Sequence, residues 1–193
     1  MPLNKKFLLI VVLAVGILGW ILLRSPHQQP KSNSDSAPAS ENSSMSVFSR
    51  TGPATAYPDV SRTPGALNPE ITQDNIRETI CNPNWSTRFI RPPESYILRL
   101  KKEQMRELGL PGTMADYEED HFISLELGGS PTDPRNLWPE PYGPKPGAKE
   151  KDVVENYLHR QVCTADMTLV EAQKAITTDW FSIYVQIRPS PRR

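Results

Sequence analysis

The sequence predicts an α+β domain that is mostly helical and stands behind an N-terminal membrane helix. Three observations support this: an apolar run at residues 7–23, a Ser- and Pro-rich stretch at 24–59, and alternating helix-like and strand-like patterns over 60–187. Residues 188–193 read as a short tail. Lys and Arg total 22, as do Asp and Glu, so composition gives no indication of a broadly basic nucleic-acid-binding surface.

The N-terminal residues predict the cellular compartment in which the domain lies. Residues 7–23 form an uninterrupted apolar run behind Lys5-Lys6. A membrane-spanning helix needs roughly 17–25 residues, whereas the apolar part of a cleaved signal has about 7–15, so an uncleaved anchor is favoured over a removed signal. The lysines favour a cytoplasmic position for residues 1–6, with the domain on the periplasmic side. Residues 24–59 hold few large apolar side chains and read as a disordered tether.

Two cysteines, Cys81 and Cys163, lie within the predicted exported domain. In an oxidising compartment the economical outcome is one disulfide between them, with free thiols as the alternative. Neither cysteine has a second ligand at the usual short spacing, so a zinc site made by this pair alone is not expected.

The first part of the domain is predicted to be helical. Residues 72–78 look like a capped helix start, and Asn82-Pro83 ends that segment. Two prolines after Arg91 impose an extended chain before a helix over 94–108. Gly109 then terminates this helix.

A short β component follows. Alternating apolar residues over 121–127 predict a strand, and Gly128-Gly129 predicts a tight reversal. An irregular loop over 133–136 then returns Leu137-Trp138 to the core.

Two further helices complete the domain. The first begins near Ala148 and has an apolar side that includes Val153, Val154 and Leu158. The second begins at a capping box over 168–171, where Thr and Glu are three positions apart. The order of helices, strand, loop and helices gives an α+β domain with a small β component.

The segment 117–142 concentrates the residues that can do chemistry. It places Asp120 directly before His121, followed by the glycine turn and Asn136. A carboxylate can hold a hard or borderline divalent cation, and an imidazole can take a proton from water. A metal-dependent hydrolase of phosphodiesters requires both groups.

The string DHFISLELGGSPTDPRNLWPEP at residues 120–141 resembles the HNH endonuclease family with its ββα-metal motif. It is most similar to bacterial HNH-signature proteins in which an A-x-x-K-D-x-x-E helix follows. Ala148, Lys151, Asp152 and Glu155 match that helix pattern. The resemblance implies a small hairpin-plus-helix core and a metal-dependent nuclease activity.

The resemblance also assigns roles to individual residues. His121 takes the place of the general base, and Asn136 that of the asparagine that holds the loop and orients the base. Asp120 takes the place of a metal ligand. The histidine or asparagine that the family usually supplies at the helix start is replaced here by the sequence PGAK. Asp152 is our choice for the second ligand, with Glu155 as the alternative, and the cofactor is expected to be Mg²⁺, Mn²⁺, Zn²⁺ or Ni²⁺.

Three basic residues are candidates for contacts with substrate phosphate: Arg135, Lys149 and Lys151. Arg135 has an alternative partner in Asp133, and the two lysines have the alternative of a solvated helix face.

Taken together, these features predict a membrane-anchored, extracytoplasmic endonuclease that hydrolyses DNA or RNA with a divalent metal. Its partners would be nucleic acid as substrate and the membrane through the N-terminal helix. The alternative, favoured by the missing ligand at the helix start, is a catalytically inactive ββα-fold binding module of the cell envelope.

Overall fold

The computed structural model describes residues 50–188. Within this range the chain forms three α-helices and one two-stranded antiparallel sheet, joined by short 3-10 turns. The elements are α1 (Glu94–Leu108), β1 (Tyr117–His121), β2 (Leu137–Pro141), α2 (Ala148–Cys163) and α3 (Leu169–Ile187). The predicted α+β class is confirmed.

None of the helices within 50–188 is long and apolar enough to cross a membrane. The anchor predicted at 7–23 lies outside the described residues, as do the first part of the tether and the last residues of the tail.

The helix predicted to start over 72–78 is replaced by a 3-10 turn at Gln73–Asn75, followed by further turns. The Asn75 side chain accepts a hydrogen bond from the Thr72 backbone N–H at 2.8 Å and donates to the Glu70 carbonyl at 2.9 Å. Asn side chains that bond to nearby backbone groups compete with a continuing helix, so the segment closes into turns.

The β-hairpin begins earlier than predicted. β1 and β2 are antiparallel, with Tyr117 opposite Pro141 and His121 opposite Leu137. The strand predicted over 121–127 is wrong beyond its first residue. The Ser124 hydroxyl accepts from the backbone two residues later and starts a 3-10 turn that ends at a left-handed glycine. The apolar residues of this segment enter the core from a turn, which period-two alternation cannot distinguish from a strand.

Helix α1 packs against both strands. It begins directly after the two prolines and ends at Gly109, whose φ of 59° is left-handed, as predicted. The Lys101 ammonium donates to the Tyr117 carbonyl at 2.9 Å, and the Gln104 amide donates to the Leu137 carbonyl at 3.0 Å. These bonds fix the hairpin on the helix.

Helices α2 and α3 pack against each other and carry much of the core. The capping box over 168–171 is confirmed, because Thr168 and Glu171 bond each other's backbone N–H groups. In α2, Val154 and Leu158 are buried as predicted, whereas Val153 is 47% exposed. The fully buried apolar side chains include Phe122, Leu127, Leu137, Val154, Leu158, Val162, Ile176 and Trp180.

The predicted disulfide between Cys81 and Cys163 is present, with a Cα–Cα distance of 5.3 Å. It ties the turns that follow the 3-10 segment to the last residue of α2, across a sequence separation of 82 residues.

Helix α3 is kinked at Asp179, whose φ of −157° and ψ of 74° are not helical. The Asp179 carboxylate caps the second half of the helix by accepting from the Ser182 backbone N–H at 3.2 Å. It also accepts from the Thr51 N–H at 3.1 Å and the Tyr57 hydroxyl at 2.5 Å. One carboxylate therefore fastens residues 51–57 to the kink.

Candidate active site at the hairpin

The loop between β1 and β2 is held by Asn136, which has no exposed surface. Its side-chain oxygen Oδ1 accepts a hydrogen bond from the Ile123 N–H at 2.9 Å. Its side-chain nitrogen Nδ2 donates to the backbone carbonyls of Ile123 and Ser130, each at 3.0 Å. A Cβ at Gly129 would lie 1.8 Å from the Ile123 carbonyl oxygen, so this turn closes only with glycine. Asn136 and Gly129 therefore set the shape of the loop through their contacts with its backbone.

His121 ends β1 and is 4% exposed. Its Nε2 lies 3.1 Å from the Pro131 carbonyl oxygen. A carbonyl only accepts, so Nε2 carries the proton and the Nδ1 of the neutral ring has a free lone pair. Burial lowers the pKa of His121, against the opposing charge of Asp120, so the ring is neutral near pH 7. Asn136 acts on His121 indirectly, by holding the residue before Pro131.

A cavity of about 230 Å³ opens on His121. Arg91 lines it and is exposed. Within residues 50–188, no carboxylate lies within 4.0 Å of its guanidinium. The charge of Arg91 is one of the smaller contributions that lower the pKa of His121. It also lowers the pKa of Glu118 and of Asp152, which burial raises more strongly. An unpaired cation thus stands beside the candidate base. From the sequence, Arg91 could serve a phosphate or form a structural salt bridge, and no such salt bridge is found within residues 50–188.

Glu119 and Lys101 also line this cavity. Glu119 is 7% exposed, and neither of its carboxyl oxygens has a hydrogen-bond partner among the described residues. Burial raises the pKa of Glu119 to about 8, against the opposing charge of Lys101. A neutral carboxyl group that can donate a proton therefore faces the same space as the imidazole.

Three further carboxylates lie on or beside β1, and one of them, Glu118, lines the same cavity as His121. Glu118 and Asp120 point to the same face because they are two positions apart on a strand, and Asp152 approaches from α2. Burial, and then the charge of Asp120, raise the pKa of both Glu118 and Asp152. Oxygen donors that repel one another in this way suit a divalent cation such as Mg²⁺ or Mn²⁺. The donor atoms of these three carboxylates do not all lie within 4.8 Å of one another, so as placed they cannot all ligate one ion. Strand alternation was the signal that would have added Glu118 to this group.

The Lys151 ammonium lies at the centre of the hairpin–helix junction and has no exposed side-chain surface. It donates to Asp120 Oδ2 at 2.6 Å, to the His121 carbonyl at 2.9 Å and to the Glu155 carboxylate. Glu140 Oε2, from β2, is 3.7 Å away. Burial would raise the pKa of Asp120, but the charge of Lys151, its hydrogen bond and the other neighbouring groups together outweigh burial and lower that pKa to about 2.

Burial favours the protonated form of two of the carboxyl groups around Lys151. Burial raises the pKa of Glu140 well above its usual range. None of the described residues donates a hydrogen bond to either Glu140 oxygen, as a buried carboxylate would require. A protonated Glu140 that donated to Asp120 would help to keep Asp120 ionised. Burial, followed by the charge of Asp120, raises the pKa of Glu155 to about 7.

The three predicted phosphate contacts have different positions. Arg135 pairs with Asp133, with Nη2 and Oδ2 2.6 Å apart, so its alternative partner is the observed one. Lys149 is exposed, and its ammonium lies 5.9 Å from the ring centre of Tyr142, which lines the His121 cavity. Lys151 is not on a solvated face at all, because its ammonium is taken up by Asp120 and Glu155.

One group of three potential metal ligands within residues 50–188 has its donor atoms within 4.8 Å of one another. It consists of Cys81, His159 and Cys163, of which the two cysteines form the disulfide. Comparison with known protein families, with curated proteins and with solved structures finds no match for this chain.

Proposed function

We propose that this protein hydrolyses phosphodiester bonds of nucleic acid, with His121 as the general base and a divalent cation on Asp120 and Asp152. The observation that carries the proposal is the state of His121. Its Nε2 proton is held by the Pro131 carbonyl, and its Nδ1 is free beside a cavity that also holds the unpaired Arg91.

Each of the residues at the cavity would have a separate role in the hydrolysis. His121 Nδ1 accepts the proton of the attacking water, and Arg91 pairs with the phosphate that is attacked. A divalent cation on Asp120 and Asp152 would stabilise negative charge on the leaving oxygen. Tyr142 lines the same cavity, and the Lys149 ammonium lies 5.9 Å from its ring centre. A cation and an aromatic ring so placed suit the neighbouring phosphate and base of a nucleic-acid strand.

The order of the elements supports the resemblance to the HNH family. β1 supplies Asp120 and His121, the loop supplies Asn136, β2 returns, and α2 supplies Asp152. This is the strand–strand–helix order that the ββα-metal motif implies.

The disulfide supports an extracytoplasmic site of action. Disulfides persist in the periplasm and other oxidising compartments and are rare in the cytosol. With the apolar run at 7–23, the Cys81–Cys163 bond favours a domain held outside the cytoplasm by a single N-terminal membrane helix.

The test is cleavage of plasmid DNA and of RNA by the purified full-length chain with Mg²⁺, Mn²⁺, Zn²⁺, Ni²⁺ or a chelator. His121→Asn should lower the rate about 10²–10⁴-fold, the usual contribution of a general base. Arg91→Ala should also lower it, whereas Arg62→Ala, a matched change at an exposed ion pair with Glu107, should not. Unchanged cleavage by His121→Asn, or no cleavage by the folded wild-type chain with any metal, would reject the proposal.

A second candidate function is a catalytically inactive binding module of the cell envelope. The observation that favours it is the Lys151 ammonium, which neutralises Asp120 as a metal would. Calorimetric titration with Mn²⁺ separates the two. An enzyme should bind the ion and lose binding on Asp120→Asn, whereas a module of this kind should show no heat of binding in either form.

A further inference from the structure

A second cluster with ligand chemistry lies at the C-terminal end of α2. His159 and Cys163 are four residues apart, and therefore on one face of the helix, and Cys81 is joined to Cys163. We infer that reducing the Cys81–Cys163 disulfide converts this cluster into a site for Zn²⁺ or a similar borderline-soft cation. The ligands would be the two thiolates and His159 Nε2. This site is separate from the hairpin and does not depend on the function proposed there.

The present distances are close to those of a tetrahedral zinc site. Zinc–sulfur bonds of about 2.3 Å and zinc–nitrogen bonds of about 2.05 Å place the sulfur and nitrogen about 3.6 Å apart. Cys163 Sγ and His159 Nε2 are already 3.4 Å apart. Two zinc-bound sulfurs stand about 3.8 Å apart, so the sulfurs of Cys81 and Cys163 must separate after reduction. We expect rotation about their side-chain bonds to supply this separation.

The surroundings of His159 fit a metal-bound imidazole. Its Nδ1 lies 3.8 Å from Glu126 Oε2, and a carboxylate behind the histidine is the usual support for a zinc ligand. In the disulfide form Nε2 donates to the Ile80 carbonyl at 2.7 Å, so the proton is on Nε2. Metal binding would displace that proton and favour the tautomer with its proton on Nδ1, facing Glu126.

There is also space for a fourth ligand. A cavity of about 390 Å³ is lined by Cys81, Cys163, His159 and Glu126. Water from this cavity can complete the tetrahedron, as in sites with three protein ligands. Both cysteines and the histidine are partly exposed, so a reductant can reach the disulfide.

The redox step balances with an external dithiol as the reductant. The dithiol supplies two electrons and two protons and becomes a disulfide itself, while the S–S bond of the protein breaks to give two thiols. Binding of the cation then releases one proton from each thiol. Re-oxidation expels the metal, so the site reports the thiol–disulfide state of its surroundings.

The experiment compares oxidised and reduced full-length chain. The disulfide is reduced with dithiothreitol, the reagent is removed without oxygen, and the protein is titrated with Co²⁺ and then Zn²⁺. The reduced chain should bind one Co²⁺, with the thiolate charge-transfer band and the visible bands of tetrahedral cobalt, and Zn²⁺ should displace it. The oxidised chain should show no such bands.

Two variants test the ligand set. His159→Gln should abolish the tetrahedral spectrum of the reduced chain, and Glu126→Gln should weaken Co²⁺ binding about tenfold, as expected when the carboxylate behind a ligand is removed. Circular dichroism of each form checks that the chain is folded. The inference is wrong if the folded reduced chain binds no Co²⁺, if His159→Gln binds it equally well, or if reduced chain that has unfolded does not refold with Zn²⁺.

Discussion

At the scale of single residues, Lys151 determines the character of the hairpin site. A buried ammonium is strongly disfavoured unless its desolvation is offset by close carboxylates, and here three carboxyl groups lie within 4 Å or less. Lys151 therefore holds Asp120 in the ionised form and in one position. It also holds β1, through the His121 carbonyl, against α2.

We expect Lys151→Met to lower the free energy of unfolding by about 3–5 kcal/mol, because it leaves Asp120 and Glu155 buried without their cation. The measurement is urea denaturation followed by circular dichroism. Lys149→Met, two residues away on the exposed side, is the matched control and should change the free energy by less than about 0.5 kcal/mol. A loss below about 1 kcal/mol for Lys151→Met would contradict this prediction. It would mean that Asp120 and Glu155 become protonated in the variant, so that no unpaired charge is left buried.

Only part of this site follows from the sequence. Asp120 and His121 are recognisable because they are adjacent and belong to a specific string. Arg91 is recognisable only as one of two alternatives, a phosphate contact or a salt bridge. Glu140 is not recognisable, because it reaches Lys151 through the pairing of β2 with β1. Lys151 looks like a surface lysine in the helix pattern, since burial of a charge depends on partners that periodicity does not report.

At the scale of elements, local signals predict α1, α2 and α3 well, but they predict a helix at 72–78 that is a 3-10 turn and they predict the strands poorly. α1 begins after two prolines and ends at a left-handed glycine, and α3 begins at a capping box. Each of these signals acts within a few residues. β1 consists of one tyrosine and four charged or titratable residues, which strand propensity disfavours. It forms because β2 and α1 satisfy its backbone, an interaction that is not local.

The kink of α3 gives a stability prediction. Burial would raise the pKa of Asp179, but hydrogen bonds from Tyr57 and Ser182 outweigh it and lower that pKa from 3.8 to about 2. A lowered folded-state pKa means that Asp179 contributes stability above pH 3.8, and that this contribution is lost as the pH falls to about 2.

We expect Asp179→Ala to lower the free energy of unfolding at pH 7 by about 0.5–2 kcal/mol, the range for loss of a helix cap. The difference between wild type and variant should shrink steadily between pH 4 and pH 2, which thermal unfolding at a series of pH values can measure. A difference that stays constant over that interval would show that the ionised carboxylate is not what stabilises the kink.

At the scale of the whole molecule, one covalent bond connects the start of the domain to its C-terminal helices. The disulfide closes a loop with a sequence separation of 82 residues, which contains both strands, α1 and almost all of α2. A cross-link of this span restricts the unfolded chain strongly.

Replacing both cysteines with serine should therefore lower the free energy of unfolding by about 2–5 kcal/mol. Denaturation of the wild type and of this variant measures the difference, and gel mobility with and without reductant verifies the bond in the wild type. If the inferred zinc site is correct, Zn²⁺ should recover part of the lost stability in reduced wild type, but none in the serine variant.

The internal position of Lys151 has a consequence for metal selectivity. Because the Lys151 ammonium already holds Asp120, the hairpin is preorganised and does not need a bound ion in order to fold. If a divalent ion binds at the hairpin as proposed, removing or exchanging it should leave the apoprotein folded, unlike small zinc domains that unfold when they are chelated. The choice among divalent ions would then follow their relative abundance in the surroundings of the protein rather than any requirement of folding.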